Sequence, residues 1–174
     1  WFENVLNDIG LEPSSDEKHT TAILREQLLW HAALSGSESA IGFAGDQYAR
    51  WLKGKAVHPD IMKCVLQMAA FIGDQQTFAS LDERFVQSQV EHERMNILVA
   101  LGCFKEKKPL ENALQYILDT VPGRNKFVPV VAMASNPYAI PLLWDWYVSN
   151  LEQIEQFHPM LYERVVAAII PMAG

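Results

Sequence analysis

Apolar residues recur along this chain at intervals of three and four. Ile41, Ala44, Tyr48 and Trp51 with Leu52 make one such stripe. Ile61, Val65, Met68 and Ile72 make the next, and Phe78, Leu81 and Phe85 follow. Leu110, Leu114, Ile117 and Leu118 form another, then Ile140, Trp144, Tyr147 and Leu151; Leu161, Val165, Ala168 and Ile169 come last. This spacing gathers each set on one face of an α-helix. No stretch sustains a period of two. The run KFVPVVAMA (126–134) suits helix or strand by composition, but Pro129 inside it argues against a central strand.

The polar punctuation predicts short helices and tight turns. Gly36-Ser37 and Gly73-Asp74 each set a glycine after one helix and an N-cap before the next. His58-Pro59, Asn136-Pro137 and His158-Pro159 put proline where a first helical residue belongs. Gly10 to Asp16 reads as a polar loop, and Lys105 to Lys108 as a charged turn. HAALSGSESA (31–40) matches MAAFIGDQQT (68–77) in its Ala-Ala pair, its glycine and its capping residue, at an offset of 37 residues. That offset falls near the repeat length of helical-pair solenoids. The expectation is all-α: one helical-repeat domain over 1–174, with about ten or eleven short helices stacked as an α-α superhelix of the HEAT or armadillo kind.

Composition narrows the partners more than the fold. The 174 residues are 49% hydrophobic and 20% charged, ordinary for a globular chain with one core. Fourteen basic against twenty-one acidic residues leave a net charge of −7, which disfavours nucleic acid and anionic membrane as partners. Two cysteines are too few for a disulfide framework and fit a reducing, cytoplasmic setting. No apolar run approaches the ~20 residues of a membrane span. The first residues, WFENVL, already lie inside an amphipathic pattern, and AAIIPMAG follows directly on an apolar run. Both ends read as cut from something longer.

His92-Glu93 resembles the opening of H-E-x-x-H, the helical zinc motif, which needs imidazoles at i and i+4. Position i+4 is Asn96, a poor zinc ligand, and the other histidines (His19, His31, His58, His158) are dispersed. Metal ligands are therefore not expected in this chain. The same segment reads as a helix with Glu91, Glu93 and Arg94 outward and Val90, Ile97, Leu98 and Leu101 inward. No phosphate-binding glycine loop and no readable Ser/His/Asp set occurs, so no catalytic residue is assigned. Trp144 and Tyr147 share a helical face and are expected in the core, while Trp146 points elsewhere. On these residues alone, an independent helical-repeat interaction scaffold fits as well as any other role.

A wider resemblance runs through the chain. NPYAIPLLWDWYVSNLEQIEQF (136–157) is similar to a signature near the C-terminus of zinc aminopeptidases of the aminopeptidase N type, a group that includes antigen-trimming aminopeptidases of the endoplasmic reticulum and archaeal tricorn-interacting factors. Asn136, Pro137, Trp144 and Asn150 stand in the signature's places. ILREQLLWHAALSGS, VHPDIMKCVLQMAAFIGD, LVALGCFKEKKPLENALQYILD and VLNDIGL resemble that family's other segments, in order. Ser135 stands where some relatives carry a basic residue. The resemblance implies a C-terminal α-helical superhelix that covers the catalytic domain of the same polypeptide and lines a chamber for peptide substrate. Zinc and the catalytic groups would then lie upstream, in a parent metallopeptidase. It also implies inward-facing basic groups. Among Arg25, Arg50, Arg84, Arg94 and Arg124, the favoured substrate-binding residues are Arg84 and Arg94, flanking a turn between two central helices. A guanidinium suits a peptide carboxylate because it bonds both oxygens.

Overall fold

The computed structural model describes residues 2–14 and 16–173; Trp1, Ser15 of the polar loop and Gly174 lie outside the described residues. The described residues form eleven α-helices and two short 3-10 turns, with no strand. In order these are α1 (Phe2–Ile9), α2 (His19–Leu34), α3 (Glu38–Leu52), α4 (Pro59–Ile72), α5 (Gln75–Gln87) and α6 (Glu91–Leu101). Then come α7 (Lys107–Asp119), a 3-10 turn (Gly123–Asn125), α8 (Phe127–Ala134), α9 (Ile140–Ser149), α10 (Leu151–Glu155), α11 (Pro159–Ile169) and a 3-10 turn (Ile170–Ala173). The all-α expectation holds. The chain groups into two compact units, Trp1–Ala69 and Ala70–Gly174, with the division falling inside α4.

The ambiguous run at 126–134 is α8. Pro129 is its third residue, where no intrahelical partner exists for the missing N–H, so the ring costs the helix little. Prolines 59 and 159 begin α4 and α11 as expected. Pro137 differs: it sits in a turn, and α9 starts three residues later at Ile140. The Asn136 side chain holds that turn, its Oδ1 accepting from the Tyr138 N–H at 3.1 Å.

The 37-residue offset corresponds to one local corner built twice. Ser37 caps α3, its Oγ accepting from Ala40 N–H at 3.4 Å. Asp74 caps α5, accepting from Gln76 and Thr77 N–H at 2.9 and 3.2 Å. The alanine pairs, Ala32-Ala33 and Ala69-Ala70, are buried before each corner. Gly36 takes φ +83°, the left-handed conformation that ends α2.

In the first unit α1 packs on α2, with Phe2 stacked on His31 at 5.9 Å between ring centres. Ser37 Oγ, at the cap of α3, donates to Glu3 of α1 at 2.6 Å. Arg25 is 1% exposed, although arginine belongs to the types that are almost never buried unpaired. Its guanidinium donates to the carbonyls of Gly10 (2.9 Å) and Ile9 (2.8 Å) and to both carboxylate oxygens of Glu17. Those bonds satisfy the end of α1 and pin the loop that follows. They also hold the Glu17 carboxyl below the usual carboxylate range, chiefly through the Arg25 hydrogen bond.

In the second unit an aromatic cluster ties α5, α7 and the segment after α6. Tyr116 meets Phe78 and Phe85 edge-on at 6.0 and 6.1 Å, and Phe78 lies 6.2 Å from Phe104. Each such pair adds about 0.5–1.5 kcal/mol beyond its area. Tyr116 Oη donates to Asp82 at 2.6 Å, and burial followed by that bond raises the phenol well above its ordinary value. Gly102 ends α6 against α8: a Cβ there would lie 2.6 Å from Ala132 Cβ and 2.8 Å from Pro129 O, leaving no room for a side chain.

The α9 stripe corrects the sequence reading. Leu143 (0% exposed) and Trp146 (8%) face the core, with Ala139 before them and Ile154 after. Trp144, expected in the core, is 39% exposed, and Leu151 lies outside with it. The neighbouring positions 139/143/146 and 140/144/147 are both apolar, so helical period alone does not select the face. The start of α6 is corrected likewise: Glu93, expected outward, is buried, and Val90, expected inward, is 59% exposed.

Candidate functional site

Arg84 and Arg94 meet the same corner, between the end of α5 and the start of α6. Arg84 Nε donates to Glu93 Oε1 at 2.9 Å, and the second Glu93 oxygen accepts from the Ser88 hydroxyl. Ser88 Oγ also accepts from Val90 N–H at 3.2 Å. Arg94 donates to the carbonyls of Phe85 (2.8 Å) and Ser88 (3.2 Å), and its guanidinium lies 4.1 Å from the Phe85 ring centre. Arginine beside the last carbonyls of a helix complements both the unpaired acceptors and the negative end of the helix dipole. Both arginines therefore stitch this corner together. Arg84 still keeps 38% of its side chain exposed.

His92 and Asn96 do not converge. His92 is exposed, while Asn96 is buried and its Nδ2 has no hydrogen-bond partner. Among the described residues no group of three or more His, Cys, Asp or Glu side chains is placed to hold a metal ion. Cys64 is fully buried, and burial pushes its thiol up to about 12, which keeps it protonated and unreactive. No helix among the described residues is long and apolar enough to cross a membrane.

Comparison with known proteins places this architecture. The family model of the ERAP1-like C-terminal domain matches residues 1–173. The chain belongs to the ERAP1-like C-terminal domain family. Aminopeptidase 2 of Candida albicans is 26% identical over 153 residues, 86% of this chain and 17% of that protein. The alanine/arginine aminopeptidase of Saccharomyces cerevisiae is 25% identical over 154 residues, 87% of this chain and 18% of that protein. The mouse glutamyl aminopeptidase is 23% identical over 140 residues, covering 78% and 15%. The chain thus spans less than a fifth of the length of these relatives.

The Asn-Pro that carried the resemblance has a structural job in this ERAP1-like domain. Asn136 is 8% exposed, and its Nδ2 donates to the carbonyls of Gly102 (2.9 Å) and Phe104 (2.8 Å). One side chain so satisfies the end of α6 while its Oδ1 shapes the turn before α9. Asn150 does similar work, donating to Trp146 O at 2.8 Å where α9 gives way to α10. Trp144, the signature's tryptophan, sits at the surface, 6.2 Å from Tyr147. Among the described residues no donor set for a zinc ion is assembled.

Of the other arginines weighed from the sequence, Arg25 is a core residue, and Arg50 donates to Ala56 O at 3.3 Å. Sequence reasoning missed Arg25 and Glu93, yet a signal existed. Arg25 continues the stripe Ala22, Leu29, Ala32, and Glu93 the stripe Ile97, Ala100, so a charge at a core position called for a buried partner.

Proposed function

We propose that this chain is the C-terminal domain of a zinc-dependent aminopeptidase: an α-α superhelix over 1–174 that covers the catalytic domain of the same polypeptide and lines its peptide-substrate chamber. The match of the ERAP1-like C-terminal domain along residues 1–173 carries this reading. The catalytic groups and zinc then belong to the remainder of the polypeptide, and this segment alone is not the enzyme. Peptide is the ligand, with no nucleic acid or membrane partner, which the net charge of −7 supports; the two cysteines fit a reducing, cytoplasmic setting. Arg84 and Arg94 are the proposed readers of the distal end of a long peptide. The exposed part of Arg84 supports this, because the Glu93 bond holds its planar fork in a fixed orientation.

Kinetics of the full-length polypeptide test the proposal. Arg84→Ala and Arg94→Ala are expected to raise KM for long peptides about tenfold, the loss of one charge-assisted hydrogen bond, and to leave a dipeptide-sized substrate unaffected. Equal effects on both substrates, or on neither, remove the two arginines from substrate reading. A reading frame without H-E-x-x-H upstream of Trp1 removes the peptidase itself and leaves the interaction-scaffold reading.

A further inference from the structure

A cavity of about 650 Å³ opens between the 3-10 turn at Gly123, the start of α8 and the α10–α11 corner. Its size is ordinary for a small-molecule site. Phe127, Phe157 and Leu161 form apolar walls, and Arg124, Lys126 and Arg164 bring three cations to the lining, with His158 beside them. Among the described residues the lining holds no carboxylate. In a chain with fourteen basic and twenty-one acidic residues, three cations at one small cavity run against the overall charge.

The rings hold the cations in place. The Arg164 guanidinium lies 4.5 Å from the Phe127 ring centre, and Lys126 Nζ lies 5.5 Å from that of Phe157. A guanidinium laid on a ring keeps its N–H donors in its own plane, available at its edge. Lys126 Nζ also donates to the carbonyls of Ile117 and, at 2.7 Å, Leu118. Burial lowers this ammonium below the usual lysine range, and Asp119 opposes the shift. Arg124 is 77% exposed and meets Glu91 at 3.4 Å, an exposed pair that water and salt screen. Both carboxylates stand outside the lining.

We propose that this cavity binds an amphipathic anion, its carboxylate, sulfonate or phosphate head against Arg124 and Arg164 and its apolar body against Phe127, Phe157 and Leu161. The charge decides the head and the walls decide the body: a bare anion leaves the rings in water, and a neutral apolar molecule leaves the cations without a counter-ion. The site is separate from the α5–α6 corner and does not rest on the peptidase reading.

Decanoate supplies both parts and serves as the probe. Equilibrium dialysis of labelled decanoate against the full-length polypeptide is expected to show a salt-sensitive site that decanol and inorganic phosphate, each lacking one part, fail to compete for. Arg124→Gln with Arg164→Gln is expected to raise its Kd at least about tenfold with an unchanged melting temperature. Competition by decanol as strong as by unlabelled decanoate, displacement by inorganic phosphate alone, or unchanged binding in the double variant overturns the proposal. Should the double variant fail to fold, the comparison of decanoate with decanol on the unaltered protein decides it.

Discussion

Trp144 and Trp146 stand two positions apart on α9 and have opposite surroundings. Trp146 is 8% exposed among core residues, while Trp144 is 39% exposed and touches Tyr147 at its rim. Truncating a buried aromatic removes its transfer energy and leaves a void, so Trp146→Ala is expected to cost about 3–5 kcal/mol. Trp144→Ala loses mainly an aromatic contact and some half-covered surface, about 1 kcal/mol. Denaturant midpoints of the two variants measure the difference. A larger cost for Trp144→Ala than for Trp146→Ala would mean that α9 turns the other face inward. Asn136 belongs to the same scale: one amide joins residues 34 and 32 positions away, which explains why an asparagine heads this turn better than its neighbours in size.

At the scale of elements, the corners carry much of the specification. Ser37 and Asp74 cap their helices, Gly36 turns one corner, and Arg94 closes the end of α5. The loop after α1 depends on a charged pair instead. Arg25 is fully buried and Glu17 is 12% exposed. The carboxyl is held below its unperturbed 4.5, so the unfolded chain binds the proton more readily. The stabilisation is therefore complete above pH 4.5 and is lost as pH falls through the lower folded value. Thermal midpoints measured down this acid range are expected to fall more steeply for the unaltered chain than for Glu17→Gln. At neutral pH that variant is expected to be the less stable, because it leaves the Arg25 charge buried without its anion. Parallel acid profiles would show that the pair does not couple to folding.

At the scale of the whole molecule, the chain matches less than a fifth of each relative's length. Those relatives are more than five times as long as the segment matched, and the described residues of this chain contain no assembled metal-ligand set. The purified 174-residue chain is therefore expected to hold no zinc after dialysis against a chelator, and to leave aminoacyl-anilides uncleaved. Metal analysis returning one zinc per chain would mean that ligands assemble here in a way the pairing of His92 with Asn96 gives no hint of.

The all-helical class, the positions of most helices, the two similar corners and the family were all legible in the linear pattern. These properties are local: a period of three and four, a cap three residues before a free N–H, a proline in a first turn. The tertiary structure alone decided which face of α9 is inward, since two adjacent stripes there are equally apolar. It alone decided which partners meet the buried Arg25 and Glu93, namely Glu17 and Arg84, eight and nine residues away. It also decided that Arg124, Lys126 and Arg164 share one cavity with two phenylalanines. Periodicity records which side of a helix is apolar, but which remote carbonyl, charge or ring meets that side is settled only when the helices pack.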